Sequence, residues 1–249
     1  MATHNALEGR TILVTGARRG LGRALVEEAL DRGATRVYAA TRIPFDHPDA
    51  RVTPLTLDVA DPRSIERSAA QVPELDILIN NAAVGMYDDL TDLGMLENHL
   101  QVNVVGPLTL TNALLHALAA RRGAVVNVGS IAALANLPVM PSYSISKAAL
   151  LSLSQAQRGL LARHRIRVHA VLAGPMDTDM TRELAIPKTA PSLVASAVYD
   201  GLQRRDEEIF PDPVSVQFEE SWNNGPLKAF ERANAALLAP ARNHLDNMP

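Results

Sequence analysis

Six short apolar runs, separated by longer stretches with helical spacing, leave this chain little choice of architecture. The runs are Thr11-Ile-Leu-Val-Thr15, Arg36-Val-Tyr-Ala-Ala40, Leu55-Thr-Leu-Asp58, Leu75-Asp-Ile-Leu-Ile-Asn80, Ala124-Val-Val-Asn-Val128 and Arg167-Val-His-Ala-Val-Leu172. They are rich in β-branched residues and nearly continuous in apolar character, which suits strands buried on both faces. Leu21 to Arg32, Pro62 to Ala70, Leu96 to Arg121 and Pro141 to His164 read as the helices between them. Pro62 follows Asp61, a favourable helix start because a first-turn residue needs no N–H partner. Strands alternating with helices imply right-handed crossovers and a parallel sheet covered on both sides. The expectation is one doubly wound α/β domain over residues 1–249, with about seven strands. Beyond Leu172 the pattern loosens. Gly174, Pro175, Pro187 and Pro191 mark a loop region, Ser192 to Arg204 reads as a helix, Glu208 to Pro211 as a last short strand, and Pro226 to Leu238 as a closing helix.

Composition narrows the chemistry. A chain of 249 residues with 47% hydrophobic and 20% charged residues fits one large globular domain. A formal net charge of -3 gives no bulk attraction to nucleic acid or an anionic membrane. The absence of cysteine excludes disulfides, thiolate catalysis and cysteine-based zinc sites. Met1 to Arg10 lacks the apolar core of a signal peptide, and no apolar run is long enough to span a bilayer, so a cytoplasmic location is expected.

Directly after the first strand comes Thr15-Gly16-Ala17-Arg18-Arg19-Gly20-Leu21-Gly22, opening into a helix. Glycines are needed where the backbone turns tightly and where a pyrophosphate must approach the main chain. Free N–H groups at the helix start then favour an anion. The spacing is Gly-x-x-x-Gly-x-Gly, which differs from the Gly-x-Gly-x-x-Gly fingerprint of other dinucleotide folds. At the end of the second strand, where an NAD site places an acid for the ribose hydroxyls, the chain reads Ala39-Ala40-Thr41-Arg42. Arg19 and Arg42, with Arg18 as a third contributor, are therefore read as partners of a 2′-phosphate, which makes NADP the expected cofactor, with NADPH preferred over NADH. The bland alternative is three solvated arginines.

Tyr143 and Lys147 stand four residues apart in a helical segment, and positions i and i+4 share a face. A free tyrosine titrates near about 10, and bringing it to roughly 7 needs about 4 kcal/mol of differential stabilisation. A neighbouring ammonium acts in that direction. An isolated Tyr-x-x-x-Lys is more often a packed tyrosine beside a solvated lysine. Here the glycine turn, Asp58-Val59, Asn80-Asn81-Ala82-Ala83, Asn103 and Ser130 precede it in a fixed order.

With these motifs in this order, the chain from about Thr11 to Thr178 resembles the short-chain dehydrogenase/reductase family, which has a Rossmann fold. The resemblance implies an oxidoreductase moving hydride between NADP(H) and a carbonyl or secondary alcohol. It implies that Tyr143 is the general acid in reduction and Lys147 lowers its pKa and binds the nicotinamide ribose. Ser130 holds the oxyanion, and Asn103 holds a water that links Lys147 to solvent. Gly16, Arg18, Arg19, Gly20, Leu21, Gly22, Arg42, Asp58, Val59, Asn81, Ala82, Ala83, Tyr143, Lys147, Gly174, Met176 and Thr178 are the implied cofactor contacts, Asp58 meeting the adenine amino group and Thr178 the nicotinamide end. No metal is implied.

Two departures stand out. Ala83 replaces a usual glycine, which would be strained if the backbone there were left-handed. Ile209-Phe210-Pro211-Asp212 replaces a glycine-rich segment found in tetrameric relatives. Leu110, Leu114, Leu118, Leu150, Leu153 and Leu160 are read as the apolar face of a homodimer or homotetramer. Leu134, Leu137, Val139, Met140, Met176, Met180, Leu184 and Ile186, joined by Val84 and Met86, are read as a pocket for a hydrophobic ketone or aldehyde, with a substrate loop at about 178–191. Two rival readings compete with this one. A serine hydrolase fails because Val128-Gly129-Ser130-Ile131-Ala132 lacks the Gly-x-Ser-x-Gly elbow. A non-catalytic NADP sensor on the same fold is the alternative, although such a protein has no need of the tyrosine and lysine together.

Overall fold

Strand β1 (Thr11–Thr15) lies near the middle of a parallel sheet, and its alternate residues divide the protein into two layers. The computed structural model describes residues 7–43, 45–183, 185–235 and 237. Leu184, the first six residues and the final stretch of the closing helix toward Leu238 fall outside these. The other strands are β2 (Arg36–Thr41), β3 (Val52–Thr56), β4 (Ile77–Asn80), β5 (Ala124–Val128), β6 (Arg167–Val171) and β7 (Glu208–Ile209). The sheet has seven strands in the order β3-β2-β1-β4-β5-β6-β7, every pairing parallel.

Ile12 and Val14 point to one layer with Val37, Ile77, Val126 and Val171. Helices α1 (Gly20–Asp31) and α7 (Pro191–Arg204) cover that layer through Leu25, Val26, Val194 and Val198. Leu13 points the other way, with Tyr38, Leu78, Val125 and Val168. That layer is covered by α2 (Pro62–Ala69), α4 (Gly106–Ala113), α5 (Leu115–Arg121) and α6 (Pro141–Leu161). Strands buried on both faces need apolar side chains at odd and even positions alike, which is why the runs read as continuous.

The expected elements are present with shifted edges. β3 begins at Val52 rather than Leu55 and includes Pro54. It pairs only with β2, and an edge strand tolerates a residue that cannot donate to a ladder. The long helix expected from Leu96 to Arg121 is divided. It runs as α3 (Leu93–Leu100), a π-helical turn at Gln101–Val105, α4 and α5, with a bend of 61° at Leu114. Pro107 has no N–H for the carbonyl four residues before it, that of Asn103, so the ladder cannot run through unchanged.

Four of the leucines expected on a subunit face are core instead. Leu110, Leu114 and Leu118 are buried because their helices turn them onto the sheet, and Leu150 is also buried within the chain. The exposed apolar residues of this helical region are Val105, Leu108, Ile145 and Leu160. Among the described residues no single helix is long and apolar enough to cross a membrane.

The chain closes with α8 (Glu219–Asn223) and α9 (Pro226–Ala235). The latter is docked by charge, for Leu227 and Phe230 are exposed while Lys228 is buried. Lys228 Nζ lies 2.6 Å from Glu208 Oε2 and 2.9 Å from carboxylate oxygens of both Glu207 and Glu231. Arg158 on α6 reaches Glu208 from the other side at 2.7 Å and also pairs with Glu231. Removing Lys228 leaves the Glu208 carboxylate, 0% exposed, with Arg158 as its remaining charged partner. Lys228→Ala is therefore expected to lower unfolding free energy by about 1–3 kcal/mol, read from the urea midpoint. A loss under about 1 kcal/mol, the range of an exposed ion pair, would mean that water reaches Glu208.

Candidate active site

The site opens where the strand order reverses, between β1 and β4, at the carboxyl ends of the strands. Thr15 and Asn81 hold those two ends together. Thr15 Oγ1 accepts from the N–H groups of Asn81 and Ala82, both at 2.9 Å, and Asn81 Nδ2 donates to the Thr15 carbonyl at 2.8 Å. The glycine turn folds over this stitch. A Cβ at Gly22 would lie 2.1 Å from the Gly16 oxygen and 2.7 Å from Asn81 Nδ2, so only glycine lets α1 pack there. Gly16 itself has φ +66°, in the left-handed region. No side chain caps the start of α1, which leaves its first N–H groups and the positive end of its dipole facing the crevice.

A cleft of about 460 Å³ follows from this packing. It is lined by Gly16, Arg18, Arg19, Gly20, Leu21 and Gly22 from the turn, Arg42 from the end of β2, and Asp58 and Val59 after β3. Asn81, Ala82 and Ala83 come from the end of β4, Tyr143 and Lys147 from α6, and Met176 and Thr178 from the segment after β6. Of the expected pocket residues, Val84, Met176 and Met180 line it as well.

Gly174 is the exception among the expected cofactor contacts. Its N–H donates to Asp212 Oδ2 at 2.7 Å, and Asp212 also accepts from the N–H groups of Val214 and Ser215. Gly174 thus belongs to a turn built around a buried carboxylate and is not among the residues lining the cleft. Arg19, which lines the cleft as expected, also has its Nη1 2.9 Å from Asp179 Oδ2 in an exposed ion pair. Arg18 and Arg42 form no ion pair with any described residue. Ala83 carries no strain, since the non-glycine residues with positive φ among those described are Leu90, Arg122, Arg165 and Arg205. Thr15, Thr41, Ile43, Val102, Gly129 and Asp179 line the cleft without having been expected. Thr15 and Gly129 sit at strand ends beside recognised motifs, a signal that sequence reasoning had available. Asp179 had none, because its partner is 160 residues away.

Tyr143 and Lys147 project from the first turns of α6. Lys147 Nζ stands 5.5 Å from the centre of the Tyr143 ring and donates to the Val128 carbonyl at 2.8 Å. Lys147 is 3% exposed, and burial pulls its ammonium down from 10.5 to about 8. Burial also pushes the Tyr143 phenol above its ordinary value, opposed in part by a hydrogen bond with Ser130. Desolvation outweighs the serine, so the net direction is opposite to the lowering expected from Lys147. Ser130 ends the strand–turn link after β5, where its Oγ accepts from the Ala132 N–H at 3.1 Å.

Asn103 lies in the π-helical turn, buried behind the cleft. Its Oδ1 accepts from the Val84 N–H, and its Nδ2 donates to the Val84 carbonyl and to Ser146 Oγ, each at 2.9 Å. Both side-chain donors are therefore committed to protein.

Comparison with known proteins supports the assignment these positions suggest. The family model for short chain dehydrogenases matches residues 10–188. The chain belongs to the short-chain dehydrogenase/reductase family. As a member it is an oxidoreductase, and the family acts on small molecules. The chain is 32% identical over 194 residues to 3-oxoacyl-[acyl-carrier-protein] reductase FabG of Salmonella typhimurium, covering 72% of this chain and 79% of that protein. It is also 32% identical over 186 residues to sorbitol dehydrogenase of Cereibacter sphaeroides, covering 70% and 73%. A short chain dehydrogenase from Burkholderia cenocepacia, solved in complex with NADP, superposes with a TM-score of 0.81 at 36% identity, covering 94% of this chain and 99% of that one. NADPH-bound carbonyl reductase from chicken fatty liver gives 0.72 at 26% identity, covering 82% and 97%.

Within this short-chain dehydrogenase/reductase, the buried lysine has a cost that pH reveals. A group whose pKa falls from 10.5 unfolded to about 8 folded binds fewer protons when folded. The penalty is fully present below about 8 and relieved as pH rises toward 10.5. At 1.36 kcal/mol per unit it amounts to about 3 kcal/mol. Lys147→Met is expected to be more stable than the parent at pH 7, with the difference closing as pH rises through that window; chemical denaturation across pH measures it.

Proposed function

We propose that the protein reduces apolar ketones or aldehydes with NADPH, and in reverse oxidises the corresponding secondary or primary alcohols with NADP. The observation that carries this reading is the placement of Tyr143, backed by Lys147, in the same cleft that the glycine turn lines. The cleft fits a dinucleotide. Gly22 and Gly16 let backbone come close where a Cβ would collide, and the uncapped start of α1 faces the position a pyrophosphate would take.

NADPH, when bound, supplies the hydride. Tyr143 gives its phenolic proton to the carbonyl oxygen, and a phenol held protonated by burial suits that direction. Ser130 Oγ–H donates to the same oxygen as its charge develops. Lys147 spends one N–H on the Val128 carbonyl and keeps two for the ribose hydroxyls. Asp58 accepts from the adenine amino group beside Val59. The relay assigned to Asn103 runs through its main-chain carbonyl, the acceptor that Pro107 leaves without its helical donor.

Arg42 and Arg18 carry the preference for NADPH. Arg19 joins them only by releasing Asp179. Support also comes from two relatives whose structures hold NADP or NADPH, although another, from Brucella ovis, holds NAD. Val84, Met176 and Met180 make the nicotinamide end of the cleft apolar, which favours a hydrophobic substrate over a sugar or carboxylate. We assign it to the cytoplasm as a homodimer or homotetramer.

Reduced-nicotinamide absorbance, followed with a panel of ketones and both cofactors, tests the reaction and the phosphate preference together. No oxidation of NADPH by any carbonyl would return the sensing alternative. Tyr143→Phe is expected to lose about 10²–10⁴-fold in turnover while NADPH still binds. Arg42→Ala should weaken NADPH about tenfold or more and leave NADH unchanged, as loss of a charge-assisted contact requires. Equal effects on the two cofactors, measured by fluorescence titration, would remove Arg42 from the 2′-phosphate site.

A further inference from the structure

We propose that His99 is a positioning residue for this reaction, holding the segment Val84–Met86 against the Tyr143 ring as a single neutral tautomer. His99 projects from α3 and is 0% exposed. Its Nδ1 lies 2.7 Å from the Met95 carbonyl, and its Nε2 lies 3.2 Å from the Met86 amide nitrogen. A carbonyl can only accept and an amide N–H can only donate. Nδ1 therefore carries the proton and Nε2 offers its lone pair.

Asn103 stands four residues further on, on the same side of the helical segment, and takes both backbone groups of Val84. The two side chains thus hold residues 84 and 86, and Gly85 between them is what meets the site. A Cβ built on Gly85 would lie 3.2 Å from Tyr143 Cδ2, 2.9 Å from Met180 Sδ and 3.3 Å from Met140 Cε. The backbone at Gly85 is therefore one wall of the space around the Tyr143 ring. Asn103 also fixes its end to α6, through Ser146 Oγ, which in turn donates to the Tyr143 carbonyl at 2.7 Å. Farther along, Asp88 accepts from Ser142 Oγ at 2.8 Å. Between those anchors, His99 is the side chain that holds Met86 among the described residues. Without the Nε2 acceptor, Met86 loses its partner and Gly85 gains freedom to drift from the tyrosine.

This inference rests on Tyr143 as the proton donor, and the test separates the two. His99→Leu keeps apolar bulk but offers no acceptor, whereas His99→Gln can place an oxygen near the position of Nε2. Both are measured beside Tyr143→Phe, with NADPH and 1-phenyl-1,2-propanedione as the carbonyl probe, by steady-state kinetics, NADPH fluorescence titration and thermal melting. His99→Leu is expected to lower kcat/KM for the dione about tenfold, the scale of one hydrogen bond whose partner is left unmade, with NADPH affinity unchanged. His99→Gln should recover most of that loss. Long-range ¹H–¹⁵N spectra of the parent protein, assigned by the signal lost in His99→Gln, should show a neutral ring protonated at Nδ1. Parent-like kcat/KM in His99→Leu, with Tyr143→Phe inactive, overturns the positioning role alone. Failure of His99→Gln to recover, or a ring protonated at Nε2 or at both nitrogens, overturns it even if His99→Leu does not fold. An active Tyr143→Phe would instead bring down the reading of the tyrosine.

Discussion

The close approach of α1 to the end of β1, with Gly22 against the Gly16 carbonyl, is the contact on which the rest of the site is arranged. It sets the uncapped helix terminus over the crevice and lets Asn81 reach back to Thr15. That second link fixes the end of β4 relative to β1, and the segment leaving β4 is the one that Asn103 and His99 hold. A side chain at Gly22 would push against backbone, and backbone in two strands cannot yield without moving the sheet. The uncapped start of α1 at one end and the surroundings of the tyrosine at the other are mechanically joined through a few residues at strand ends.

Burial governs the chemistry at the other end. Tyr143 and Lys147 share one face, but the protein desolvates both, raising the phenol and lowering the ammonium. Each shift favours the neutral form. A neutral phenol is a proton donor, which is the role the proposed reduction gives Tyr143.

Much of this was legible in the chain. The glycine spacing, Asp58, Asn103, Ser130 and the Tyr143/Lys147 pair lie in local motifs whose residue types reflect local backbone needs, and these local rules transfer. The two-faced burial of the sheet was readable from β-branched runs for the same reason. Less was legible where a residue's partner is remote. The pairing of Arg19 with Asp179 could not be read because Asp179 is far along the chain, nor that of Gly174 with Asp212, which lies beyond a helix. Leu110, Leu114 and Leu118 had the spacing of an apolar stripe, but a stripe does not say whether sheet or subunit covers it. His99 gave no signal at all, since a lone histidine in a helix acquires meaning only from the two backbone groups it joins.

What the sequence by itself determined is the order of strands and helices, the doubly wound class, and the identity of the groups able to do acid–base work. Those follow from periodicity and from turn chemistry, which act over a few residues. Tertiary structure alone decided which arginines are uncommitted, which leucines are core, in which direction the tyrosine is perturbed, and what braces the loop beside it. Each depends on desolvation or on a partner distant in sequence. Neither is fixed until the chain has closed on itself.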